Sequence, residues 1–209
     1  MGIEAAKALY EQAVFGGDAA AVDAGERELE AAEAELALTR GQLIHARFLG
    51  EHVVDERELT LFQLAEGNYR ELGDGWGQSS ALFWIGCYHQ VVQGDAATAL
   101  PFLERAARLA EGVGDRLTLS YALRHLAFAA HEAGDLDTAW ERMSESTRLR
   151  RELDFRAGLA ANLSALAFLA LDLGRPDEAK ALVEEATGIA EACVANGVLR
   201  WIEEVRARM

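Results

Sequence analysis

Gly94, Gly134 and Gly174 stand 40 residues apart, and the residues around them keep the same step. Five after each glycine comes an alanine (Ala99, Ala139, Ala179), and seven before it a small residue (Cys87, Ala127, Ala167). Large apolar residues fill the positions eleven before (Phe83, Leu123, Leu163) and nine after (Leu103, Met143, Val183). Twelve after come Ala106, Ser146 and Ala186, and fifteen after come Leu109, Leu149 and Ile189. A unit of this length cannot bury its apolar face alone, so its copies must stack on one another.

On both sides of the glycine apolar residues recur at helical spacing, which predicts a helix, a tight turn and a second helix. The glycine takes the left-handed conformation that ends the first helix. Asp95 and Asp135 then stand at the N-cap of the second, and Pro176 stands near the first helical position of the last unit. Upstream the period is degraded. Leu72-Gly73-Asp74 repeats the later Val113-Gly114-Asp115 turn, but the glycine column becomes Val54. Residues 3–16 and 18–36 read as an atypical pair turning at Gly16-Gly17-Asp18. Nothing between Glu30 and Gly41 breaks a helix, so one continuous helix there is the alternative. The reading is all-α and a single domain: an N-terminal pair (1–40), repeats at 41–79, 80–119, 120–159 and 160–196, and a capping helix over 197–209. About eleven helices result, five pairs and a cap.

Composition narrows the function. With 35 acidic against 20 basic residues the net charge is -15, which disfavours nucleic acid and anionic membrane surfaces as partners. The longest apolar run, Leu163 to Leu171, is too short to cross a bilayer. The N-terminal residues lack the basic head and apolar core of a secretory signal, so a cytoplasmic protein is expected. Two cysteines, Cys87 and Cys193, make no disulfide framework.

The pattern resembles the tetratricopeptide repeat family. The resemblance rests on Phe83, Cys87, Gly94-Asp95, Ala99 and Ala106, on Leu123, Ala127, Gly134-Asp135, Ala139 and Ser146, and on Leu163, Ala167, Gly174, Ala179 and Ala186. Gln90, Ala130 and Ala170 stand where the family often has tyrosine, and the period is 40 rather than about 34. Longer helices of this kind are similar to the arrays of large bacterial transcriptional regulators. The resemblance implies a right-handed superhelical solenoid in which the first helix of each pair lines a concave groove. On that basis the groove holds Phe48, Tyr88, Phe128 and Phe168, with Trp84 and Arg124 a turn earlier, Tyr121 before them and His131 a turn later. The competing reading of the aromatic column is ordinary core.

No catalytic motif accompanies this pattern. His131-Glu132 is not followed by the second histidine of a zinc peptidase, and Gly73-Asp74-Gly75-Trp76-Gly77 is neither preceded by a strand nor followed by Lys-Ser/Thr. No catalytic residue, metal or cofactor is assigned. The leading expectation is a non-enzymatic scaffold that binds a protein or peptide. A hydrophobic small molecule is the alternative, and an enzyme using His131, Glu132 or Arg124 comes third. Homodimerisation is compatible with all three, because repeat arrays expose apolar ends.

Overall fold

The computed structural model describes residues 2–209, and among them every regular element is helical. In chain order the helices are α1 (Gly2–Gly16), α2 (Ala20–Glu51), α3 (Arg57–Leu72), α4 (Gly75–Cys87), α5 (Ala96–Val113), α6 (Arg116–Glu132), α7 (Leu136–Glu152), α8 (Arg156–Asp172), α9 (Pro176–Ala192) and α10 (Asn196–Arg206). The chain forms two compact units, one ending at Val113 and the other beginning at Gly114. Within each unit consecutive helices pack as hairpins: α1 on α2, α2 on α3 and α4 on α5 in the first, α6 on α7 and α8 on α9 in the second. The α10 helix closes the second unit against α8 and α9.

The turns of the second unit explain the period. Gly114, Gly134, Asp154, Gly174 and Val194 all have positive φ, and they lie 20 residues apart. After each of the last four, the following amide returns to a carbonyl five residues back: Asp135 to Ala130, Phe155 to Arg150, Arg175 to Ala170 and Ala195 to Ala190. This is the Schellman closure of a helix end. Asp115 and Asp135 then cap α6 and α7 by accepting from the amides of Thr118 (3.0 Å) and Thr138 (3.1 Å). Pro176 opens α9 in its first turn, where a missing N–H costs nothing. The 40-residue repeat is therefore two 20-residue helix-plus-turn steps, and glycine gives way to Asp154 and Val194 at two of these five turns.

Small residues set how closely the hairpin partners approach. Ala99, Ala106, Ala139, Ser146, Ala179 and Ala186 are all fully buried, with Leu103, Met143 and Val183 between them. Each buried large side chain contributes about 1.5–3 kcal/mol of apolar burial. Two features depart from the sequence reading. First, α2 is one helix of 32 residues, the alternative named above, so it serves both the N-terminal pair and the next one. Among the described residues ten α-helices are found where about eleven helices were expected, and the left-handed residue that ends α2 is His52 rather than the Val54 of the glycine column.

Second, α4 ends in a π-helical turn, Tyr88–Val92, where the Gln93 amide reaches back to the Tyr88 carbonyl. Gly73 and Gly94 are 21 apart rather than 20, and this wider turn absorbs the additional residue. The register before it moves by one. Gly86, not Cys87, meets the side chain of Leu103, and a Cβ there would lie 2.7 Å from Leu103 Cδ2.

Candidate functional site

The second unit holds a cleft of about 250 Å³ between α6, α8 and α10. Helical spacing aims its walls. Arg124, Phe128 and His131 lie four and three apart on α6, and Ala161, Ser164, Ala165 and Phe168 repeat the step on α8. Trp201, Glu204 and Val205 close it from α10. Four expected groove residues, Arg124, Phe128, His131 and Phe168, thus border one cleft. Trp201, foreseen only as the border of the capping helix, joins them because residues four apart on α10 share a face.

Arg124 is the unusual member. Its Nη1 donates to the Ala161 carbonyl (3.0 Å) and to Asn162 Oδ1 (2.8 Å), and its guanidinium lies 4.7 Å from the centre of the Phe128 ring. Among the described residues no carboxylate pairs with it. Burial, and secondly the charge of Arg150, push its pKa down to about 9. Arg150 is only 2% exposed and is likewise without a carboxylate partner. It donates through Nη1 to the Gly158 carbonyl (2.8 Å), stacks over Tyr121 (4.7 Å) and Phe155 (5.5 Å), and leaves Nη2 without a hydrogen bond. Burial pushes its pKa to about 10.

A polar chain joins the two arginines. Asn162 accepts from Arg124 and donates to Ser146 Oγ (2.8 Å), Ser146 donates to the Ser120 carbonyl, and Arg150 Nε donates to Ser120 Oγ (3.4 Å). Tyr121 lies on the Arg150 side of this chain rather than in the cleft wall, and burial raises its phenol pKa. A half-buried and a buried cation held only by neutral acceptors are costly, and the cost falls if an anion comes near.

At the other end of the cleft His131 Nε2 lies 2.7 Å from Asp172 Oδ2, and Asp172 Oδ1 accepts from Arg208 (2.9 Å). Arg208 stacks over Phe168 at 3.9 Å, and His131 meets the same ring edge-on. Burial alone would raise the Asp172 pKa, but the hydrogen bonds from His131 and Arg208 outweigh it and hold the carboxyl below the usual range. Glu132, the neighbour of His131, is exposed.

The other three expected groove residues belong to the first unit. Tyr88 is buried against Phe62 and Ile85, with its hydroxyl accepting from Gln93 Nε2 (2.9 Å). The one-residue shift of the π turn puts it in the core. Trp84 is half-buried, stacked on Phe62 (5.6 Å) and edge-on to His45 (5.3 Å). Phe48 is half-buried between His45 and His52.

The same region holds a group that sequence reasoning left as separate residues. His45 Nδ1 lies 2.8 Å from Glu58 Oε1, and Cys87 Sγ lies 3.7 Å from His45 Nε2, all three buried. Burial raises the thiol pKa strongly, so Cys87 is a thiol and not a thiolate at neutral pH. The order Cys-His-Glu imitates a nucleophile relay, but a sealed, protonated thiol does not act as one. Its three members come from three helices, and no local spacing announces them.

Among the described residues no three His, Cys, Asp or Glu side chains are placed to hold a metal, and no helix is long and apolar enough to cross a membrane. A larger depression of about 670 Å³ between α2 and α3 is edged by Arg40, Arg47 and Arg57. These arginines are exposed, and Arg57 is paired with Asp55. The fold and the cleft together define an all-α chain of helical hairpins with one arginine-lined cleft in its second unit. No family model matches the sequence, and no curated protein matches it.

Proposed function

We propose that the protein is a tetratricopeptide-like, non-enzymatic binding module, its hairpins wound as a right-handed solenoid, that anchors a segment of a partner protein in the α6–α8–α10 cleft. The observation that carries this reading is Arg124, a guanidinium in an aromatic cleft that, among the described residues, is in no ion pair, although Glu204 lines the same cleft. The cleft volume accommodates one large apolar side chain and its neighbour, not a whole helix. The anchor is therefore an apolar residue beside a carboxylate, the ring faces of Phe128, Phe168 and Trp201 taking the first and Arg124 the second. To test it, wild type, Arg124→Gln and the cleft-filling Ala165→Phe are used as baits. A stoichiometric protein retained by wild type and lost by both variants supports the reading. Partners bound equally by all three refute it.

The same charge favours a second reading, a small amphiphilic carboxylic acid as the ligand. Thermal-shift assays with 3-phenylpropionate and its neutral amide distinguish the two. Stabilisation by the acid alone, lost in Arg124→Gln, with no protein retained by the baits, selects the small molecule.

A further inference from the structure

We propose that the protein forms a two-fold symmetric dimer through α2, with a second copy lying antiparallel along an exposed seam. The seam is Val22, Leu29, Leu36 and Leu43, seven residues apart and between 38% and 66% exposed. Residues seven apart drift by about 20° around a straight helix, and two such helices take up the drift by wrapping in a left-handed sense. In the second half of α2 the packed side is a different one and carries Ala34, Ala37, Gly41 and His45, while in the first half α1 packs beside the seam on Ala21 and Gly25. Beside that packing the four seam side chains still keep between 38% and 66% of their surface exposed. Exposed residues of α1 extend the seam, since Tyr10 and Val14 border the same depression as Val22 and Leu29.

Charge names the occupant. Four residues after each seam position stand Glu26, Glu33, Arg40 and Arg47, acidic in the first half of the helix and basic in the second. All four are exposed, and among the described residues none has an ion-pair partner. A parallel copy would bring the acidic half against the acidic half. An antiparallel copy centred on Leu36 sets Leu36 against its own equivalent and Leu29 against Leu43 of the second copy. The same register sets Glu33 against Arg40 and Glu26 against Arg47 of the second copy, each contact occurring twice by symmetry.

From Val22 to Arg47 the seam runs about 38 Å at 1.5 Å per residue. A foreign partner would not require this register, whereas a second copy of the chain meets it throughout.

Light scattering and sedimentation on the full chain test the proposal. Wild type is expected at twice the 22.7 kDa chain mass. Leu36→Glu places two like charges on the symmetry axis and is expected to be monomeric, with an unchanged helical circular-dichroism spectrum because the position is exposed. Glu33→Arg and Arg40→Glu each turn two attractive contacts repulsive and should weaken the dimer by about tenfold or more. Mixing these two variants restores association, because every Arg in the mixed pair then faces a Glu. A wild type monomeric at about 100 μM, far above a typical micromolar dissociation constant, overturns the proposal. So does a dimer indifferent to Leu36→Glu, or a mixture no tighter than either variant alone.

Discussion

Val194 stands where equivalent turns carry Gly134 and Gly174, with φ of 58°, and this predicts that Val194→Gly stabilises the protein. A left-handed conformation costs an ordinary L-residue roughly 1–2 kcal/mol, and a β-branched side chain sits at the upper end. Glycine removes that strain but adds about 0.4–1 kcal/mol of unfolded-chain entropy. The side chain is 74% exposed, so almost no packing is lost. The turn's hydrogen bonds, Val194 N–H to the Glu191 carbonyl and Ala195 N–H to the Ala190 carbonyl, are backbone and survive the change.

The net gain is about 0.5–1.5 kcal/mol, a rise in Tm of roughly 1–6 °C for a chain of this size. Urea and thermal unfolding, followed by circular dichroism and by Trp140 and Trp201 fluorescence, measure it. The reciprocal change, Gly174→Val, should cost about 1–2 kcal/mol. If Val194→Gly is neutral or destabilising while Gly174→Val is tolerated, the turns are not the strained left-handed closures described.

Gly86→Ala should cost about 1–3 kcal/mol in urea unfolding, because the new methyl meets both the side chain and the backbone nitrogen of Leu103. Glu58→Ala should destabilise by about 3–5 kcal/mol, by stripping buried His45 of its partner; Glu58→Gln, which keeps the volume and an acceptor, should lose distinctly less in the same assay. The depressed Asp172 carboxyl means that the folded state favours its ionised form. Its contribution is therefore full above the ordinary carboxylate pKa of about 3.9 and is lost as pH falls through the lower folded value. The stability gap between wild type and Asp172→Asn should shrink as pH is lowered through that window, and a gap independent of pH would count against the His131–Asp172–Arg208 latch.

Much of the architecture can be read from residues that act locally. Gly134 with Asp135 announces a turn and a cap because both effects operate within a few residues, and Pro176 announces a helix start for the same reason. Asp154 and Val194 conceal the 20-residue step, since packing of the flanking helices holds them in a conformation their side chains disfavour. The π turn leaves only an arithmetic trace, 21 residues between Gly73 and Gly94, while the columns counted back from Gly94 match their neighbours and place Tyr88 and Cys87 one position out. The continuous α2 was visible only as the lack of a breaker. Within the cleft, the helical spacing of Phe128, His131 and Phe168 was legible. The arginine pair was not, because Arg124 and Arg150 are joined through Asn162, Ser146 and Ser120 across three helices, and no sequence period encodes such a path.

The undivided α2 also has a mechanical consequence. Two neighbouring hairpins share it as a common strut, so unwinding of α2 itself disrupts both. A protease that nicked the chain near Thr39 would disable both at one stroke. Trimming of the first unit should then proceed in one large step, not hairpin by hairpin as in an array whose members each own their helices.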